Sequence, residues 1–128
     1  MRDYTPAYIQ MSHATAMRVK WTIKDYPRLK QEADAFIART PAPTETPEIQ
    51  RQRDITATER NNLRYAELIK TIRAIEDALV ESVSPEDRQT IMEHILQDKR
   101  WPLNKSESTY KRIQNNYLYA VAEKLHYI

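Results

Sequence analysis

The sequence predicts an all-α fold, and three features carry that expectation. None of the 128 residues is Gly, whereas the primed turns that close tight β-hairpins lean on Gly. Ala, Glu, Lys, Arg, Gln and Leu, the strong helix formers, are abundant. Apolar residues recur at spacings of three and four rather than in alternation. About five helices follow. They are arranged as an N-terminal helical hairpin or arm (residues 1–39), a Pro-rich linker (40–47) and a helical core (48–128) with a long central helix. At this length the chain suits one compact domain, or a small core plus an arm.

The first helix is expected from about Pro6 to Tyr26. Ala14, Met17 and Trp21 fall at helical spacing, with Val19 and Ile23 on a neighbouring face, and Trp21 with Met17 reads as core. Asp25-Tyr26-Pro27 interrupts this helix, because the residue before a proline is pushed away from the α region. A second helix from about Pro27 to Arg39 carries Leu29, Ala33, Phe36 and Ile37 as its apolar stripe. From Thr40 to Pro47, three prolines in eight residues hold the chain extended. Helix resumes either at Thr46-Pro47-Glu48, which supplies an N-cap, an N1 proline and an early acid, or at the capping box Thr56-Ala57-Thr58-Glu59. The stretch from Glu48 to Asp54 is accordingly either extra helical turns or loop.

In the central helix Tyr65, Leu68, Ile72, Ile75 and Leu79 step by 3, 4, 3, 4, the spacing of a heptad seam. With fewer than three heptads, an ordinary core helix is favoured over a coiled coil. Even so, a five-helix chain this small has difficulty covering both that seam and the apolar back of its last helix. The stripe is therefore the expected self-association surface, with a homodimer as the expected state. Ser84-Pro85-Glu86-Asp87 opens a short fourth helix whose apolar face is Ile91, Met92, Ile95 and Leu96. A connector from Gln97 to Lys105, with Pro102 inside it, leads to the fifth helix.

That fifth helix, from about Ser106 toward the C-terminus, carries most of the functional information. Ser106 is its candidate N-cap. Ser108, Lys111 and Asn115 lie opposite the stripe Tyr110, Ile113, Tyr117, Val121 when residues are spaced by about 100°. Further along, the outer side turns apolar at Leu118, Ala122 and Leu125, so the later half should be buried on two sides, by the first two helices or by a second subunit. A polar, cationic front end on an anchored helix is how a DNA-recognition helix is organised. Charge is segregated in the same region. Residues 99–128 hold six Lys/Arg against two acids, and residues 76–98 hold seven acids against Arg88 alone. A basic end beside an acidic body suggests an oriented face for phosphate.

Other chemistries find little support. Without Gly there is no P-loop or dinucleotide fingerprint. Without Cys there are no disulfides, thiolate zinc sites or thiol catalysis, and a reducing compartment is mildly favoured. His13, His94 and His126 lie in separate segments with no partner at ligand spacing, so surface or core-edge roles are expected, with no metal and no cofactor. The acids cluster at helix starts, where they favour the helix dipole, and enzyme activity is not expected. The start, M-R-D-Y-T-P, has no apolar stretch of the kind a secretory signal needs. The longest apolar run, Leu118 to Ala122, is far short of the roughly 20 residues a bilayer span requires. Trp101, in K-R-W-P-L-N-K, is either the wedge that fixes the fifth helix or an aromatic over a phosphate backbone. The packing role is favoured, since an indole contributes most by burial.

M-R-V-K-W-T-I-K-D-Y-P near the start, A-I-E-D-A-L in the central helix, and S-E-S-T-Y-K-R followed by A-V-A-E-K-L at the end together resemble the ArpU/RinA-type phage transcriptional regulators. S-E-S-T-Y-K-R is also similar to the recognition helix of sigma factor region 4, and S-P-E-D-R at the preceding helix start has a counterpart there. The resemblance implies a phage or prophage protein in the cytoplasm of a host bacterial cell that binds double-stranded DNA and controls late-gene transcription. Host RNA polymerase is then a further candidate partner. One departure is visible. Sigma-like helix-turn-helix units place a positioning helix, usually ending in a Gly-containing turn, before the recognition helix, whereas only Gln97 to Lys105 is available here. The helix-turn-helix-like unit is therefore shortened.

The expectation is a DNA-binding regulator in which Ser108, Lys111 and Asn115 face the groove with Gln114 beside them. Lys99, Arg100, Lys105 and Arg112 would hold phosphates, contacts that position without specifying sequence. The rival is a helical assembly or adaptor protein of a phage, similar to a packaging subunit, in which the heptad stripe and apolar tail build an oligomer.

Overall fold

A computed structural model describes the backbone of residues 11–38 and 47–128 and the side chains of residues 11–36 and 62–128. The described residues form five helices and no strand: α1 (His13–Lys24), α2 (Tyr26–Ala38), α3 (Pro47–Ser82), α4 (Pro85–Gln97) and α5 (Glu107–Lys124). The all-α expectation holds. The linker expected at 40–47 lies outside the described residues except for Pro47, the first residue of α3. Backbone helix runs unbroken from there through Thr56 and Glu59, so the stretch left open between turns and loop is helix.

Local chemistry explains the helix ends. The Ser12 side chain caps α1 by accepting from the Thr15 N–H at 3.1 Å. At the break before α2, Pro27 falls in the first turn, where its missing N–H leaves no bond unmade. Asp25 sits at the same N-terminus, gripped by the Arg28 guanidinium at 2.7 and 2.6 Å. That guanidinium holds the Asp25 carboxyl below its ordinary range. A chain without Gly must end its helices by other means than the usual glycine C′ position. Arg88 of α4 reaches back to donate to the carbonyls of Val83 and Val80, each at 3.0 Å, and so satisfies the end of α3. Asp98 takes the left-handed conformation after α4, with φ 53°, and His126 does so after α5, with φ 59°. Asp and His are among the side chains that tolerate this region best.

Two apolar clusters hold the helices together. The larger contains Val19 and Ile23 of α1, Ile75 and Ala78 of α3, Ile91 and Ile95 of α4, and Tyr110, Tyr117, Leu118, Val121 and Ala122 of α5. The smaller joins Leu29 and Ala33 of α2 to Leu68 and Ile72 of α3, edged by the tilted Phe36–Tyr65 ring pair. A buried polar tie crosses between helices: the Tyr117 hydroxyl donates to the Ile75 carbonyl at 3.0 Å. Burial pushes the Tyr117 phenol well above its ordinary range. Nearby, the Tyr26 hydroxyl donates to Glu76 at 2.6 Å, and burial followed by that carboxylate pushes its pKa up to about 12.

Three expectations change. For the N-terminal helices, expected as a hairpin or an arm, a free arm is not formed, because α1 packs on α4 and α5 while α2 packs on α3. Trp21 is 64% exposed and Met17 37%; the core face of α1 is Val19 with Ile23 instead. Those compact side chains share a cluster with Val121 and Ala122 of α5, where an indole would hold the two helices apart. The heptad-like stripe is covered within one chain. Leu68 and Ile72 face α2, Ile75 joins the main cluster, and Tyr65 and Leu79 are partly buried beside them. The back of α5 is covered as well, with Leu118 and Ala122 buried. Tyr65, Leu68, Ile72, Ile75 and Leu79, expected as the oligomerisation surface, are thus not left as an open face for a second subunit.

Ile75→Ala should accordingly destabilise the fold by about 2–5 kcal/mol, the range for emptying a packed aliphatic site. Urea denaturation would measure that loss, and sedimentation should be unchanged while the variant is folded. A folded Ile75→Ala that differs from the parent only in assembly state would restore the seam reading.

Candidate functional site

The candidate site is built where α4 hands over to α5. Asp98 turns the chain out of α4, and Trp101 then inserts between two rings. Its indole stacks on His94 of α4, with centroids 3.5 Å apart, and on Tyr110 of α5, at 5.1 Å with planes 4° apart. His94 Nδ1 donates to the Lys99 carbonyl at 2.6 Å, and the Tyr110 hydroxyl donates to the Asn104 side-chain oxygen. Trp101 therefore takes the packing role favoured from sequence. These contacts fix α5 against α4 across a connector, residues 98–106, that contains no helix.

The eight expected DNA-binding residues divide sharply. Lys105 is not a free cation: its Nζ donates to both carboxylate oxygens of Asp87, at 2.8 and 2.6 Å. Asp87 is only 5% exposed and also accepts from the Ser84 hydroxyl at 2.9 Å. Lys105 foremost, with Ser84 helping, holds the Asp87 carboxyl below its ordinary range against the opposing effect of burial. Lys105 thus clamps the connector to the start of α4 and is not the free phosphate contact expected of it. Gln114 is corrected too. At 6% exposed it lies on the buried side of α5 and not on the outer face.

The remaining six are accessible in different degrees. Ser108, Lys111 and Arg112 are exposed and Asn115 is half-buried, and their i, i+3, i+4, i+7 spacing makes one ridge along the front of α5. Ser106 accepts from the Thr109 N–H at 3.2 Å and fixes the start of that ridge. Lys111 lies 3.4 Å from Glu107, both well exposed, an i, i+4 pair too weak to withhold the cation from a partner. Lys99 pairs with Glu93 at 2.9 Å. Arg100 and Arg112 have no acidic partner among the described residues.

Much of the charge segregation seen in the sequence is therefore resolved inside the fold. Lys99, Lys105 and Lys124 of the basic stretch pair with Glu93, Asp87 and Glu81 of the acidic one. Arg100, Lys111 and Arg112 are the cations left for a partner. The structure adds Lys20, which sequence reasoning missed. It comes from α1 and faces α5 residues across a cleft of about 650 Å³, with Arg100, Trp101, Lys111, Gln114 and Asn115 among the lining residues. The spacing of Lys20 with Trp21 and Lys24 marks a basic face of α1, but no local signal says that this face adjoins α5.

The arrangement suits anion binding, through cations from three segments of chain beside amide side chains. Among the described residues no group of three or more His, Cys, Asp or Glu could hold a metal ion, and no helix is long and apolar enough to cross a membrane. Comparison with known proteins finds no match: no family model, no curated protein and no solved structure is significantly similar to this chain.

The clamp can be separated from the free cations by experiment. A carboxyl that titrates lower in the folded than in the unfolded chain stabilises the fold fully above the unfolded carboxylate range, and its contribution is lost as pH falls through the folded value. The Tm of the parent should thus fall more steeply between about pH 5 and pH 2 than that of Asp87→Asn. Parallel profiles would show that the clamp carries no such weight. At neutral pH, Lys105→Ala should lower the Tm, whereas Arg112→Ala should leave it unchanged; equal effects would contradict the division between clamp and free surface.

Proposed function

We propose that this protein binds double-stranded DNA through the front ridge of α5 and the connector before it, as a phage or prophage transcriptional regulator acting on late genes. The observation that carries the proposal is the ridge Ser108, Lys111, Arg112, Asn115, an exposed polar and cationic face on a helix whose other sides are locked into the core. At 1.5 Å per residue the ridge spans about 10 Å, enough to lie along a major groove and reach several base pairs. Arg112 within the ridge and Arg100 before it serve as phosphate contacts, and Lys20 extends the same field from α1. Regulation of late genes rests on the resemblance of M-R-V-K-W-T-I-K-D-Y-P, A-I-E-D-A-L and S-E-S-T-Y-K-R to the ArpU/RinA-type regulators. On this reading the protein is not an enzyme and works in the cytoplasm of the host cell, with host RNA polymerase as a further partner.

The rival reading, a helical assembly or adaptor subunit, drew on a seam and an apolar tail that needed covering. Both are covered within one chain, which removes its main support.

The test is a mobility-shift titration on duplexes from phage intergenic regions at several salt concentrations. Arg100→Ala and Arg112→Ala should each weaken binding to every sequence and flatten the salt slope by roughly one unit. Lys111→Ala should weaken the preferred duplex by about tenfold while affecting other duplexes less, as expected of a side chain that reads a base edge. If all three variants bind as the parent does, or if the parent binds no duplex, the proposal fails.

A further inference from the structure

Gln114 is the one buried side chain among the described residues that is left with an unmet polar atom. It is 6% exposed, its Oε1 is buried, and nothing among the described residues donates to that oxygen. An orphaned buried acceptor is unfavourable by the desolvation it forfeits. The neighbouring turns of the same helix face show what the position otherwise selects, since Tyr110, Tyr117 and Leu118 are all buried. An apolar or aromatic side chain would fill the site without that penalty. Gln114 is also among the residues lining the cleft bounded by Lys20 of α1, Arg100 and Trp101 of the connector, and Lys111 and Asn115 of α5.

The lining of the cleft brings cations and amides together. Lys20 and Arg100 have no acidic partner among the described residues. The acids in the lining, Asp98 and Glu107, are already opposed by Lys24 at 3.4 Å and by Lys111 at 3.4 Å. Gln114 and Asn115 in the same lining each carry an amide, with one acceptor beside one donor. A volume of about 650 Å³ is within the range of small-molecule sites.

We propose that this cleft takes one nucleotide unit, its phosphate held by Lys20 and Arg100 and its base read by the amide of Gln114. The base is of the kind that presents an amino group beside a ring acceptor on one edge, as adenine does. Against that edge a glutamine amide makes a paired contact, its oxygen accepting from the amino group and its nitrogen donating to the ring nitrogen. Rotation of the Gln114 amide toward the cleft gives its carbonyl oxygen the donor that the protein interior withholds, so the ligand relieves a penalty present in the free protein. The ligand class rests on the nucleic-acid reading proposed above. The same chemistry is available from a nucleotide within a bound strand or from a free mononucleotide.

The experiment uses the full chain and follows amide NMR shifts and calorimetry with adenosine monophosphate, inosine monophosphate, inorganic phosphate and an adenine-containing single-stranded oligonucleotide. Adenosine monophosphate should bind with shifts centred on Lys20, Arg100 and Gln114. Inosine monophosphate, which lacks the amino group, should bind about tenfold more weakly, and inorganic phosphate more weakly than either. Gln114→Met keeps the volume of the side chain and removes the orphaned oxygen. It should match or exceed the parent in Tm and lose the preference for adenosine over inosine. A purely structural Gln114 would leave that preference intact in the variant. An oligonucleotide that binds more tightly than the mononucleotide and loses affinity in Gln114→Met assigns the source to a strand, and the reverse ranking assigns it to the free nucleotide. Equal binding of the two monophosphates to the parent, or no binding of either, overturns the inference. If that happens while duplex binding persists, the DNA-binding proposal stands without it; if the adenosine preference holds while no duplex binds, that proposal fails and the cleft site stands.

Discussion

The structure depends on α5 serving as core along almost its whole length while one ridge at its front stays free. Tyr110, Tyr117, Leu118, Val121 and Ala122 are buried on two sides of the helix, against α1 and α3 together with α4. The hydroxyl of Tyr117 then fixes the register of α5 against α3 by reaching the Ile75 carbonyl. A helix held in this way cannot roll or slide without exposing several large side chains. Ser108, Lys111, Arg112 and Asn115 are therefore presented at a set angle, which is the preorganisation that a rigid element gives to a binding face.

The second constraint is electrostatic. The acidic stretch 76–98, which joins the end of α3 to α4, and the basic C-terminal stretch are complementary halves of one folding pattern. Lys105 with Asp87 and Lys99 with Glu93 tie the connector to α4, and Lys124 with Glu81 ties the end of α5 to α3. These pairs differ in weight. Asp87 is nearly sealed from water and also held by Ser84, so its pair with Lys105 specifies geometry, whereas the more exposed pairs contribute little to stability. What lies beyond the pairing is the surplus around Lys20, Arg100, Lys111 and Arg112, and that surplus gives the candidate interface its sign.

The helices were legible in the sequence because their signals are local: serine caps at Ser84 and Ser106, prolines at Pro27, Pro47 and Pro85, and apolar spacing through α3 and α5. The α5 stripe was read correctly for the same reason. Trp21 was misread because two apolar stripes on α1 compete, and only the shape of α5 selects Val19 and Ile23 over the bulkier pair. The Leu68 to Leu79 seam could not be assigned to an intramolecular partner, since pairing with α2 crosses the proline-rich segment and leaves no periodic mark. Within the candidate site, exposed cations and paired cations look alike in sequence. Lys105 and Lys111 differ only through Asp87, 18 positions away from Lys105. Gln114 occupies a register position of the buried face, yet its polar character drew it to the outer one.

The central claim is that the front of α5 with the connector before it is the nucleic-acid face of this protein. The most direct test is a titration of isotope-labelled protein with a duplex, read residue by residue in amide spectra. The account predicts that the largest changes fall on Arg100, Ser108, Lys111, Arg112 and Asn115, with Val80 and Glu81 at the far end of α3 unaffected. Changes centred instead on the exposed Met17 and Trp21 face of α1, or none at saturating duplex, would contradict it.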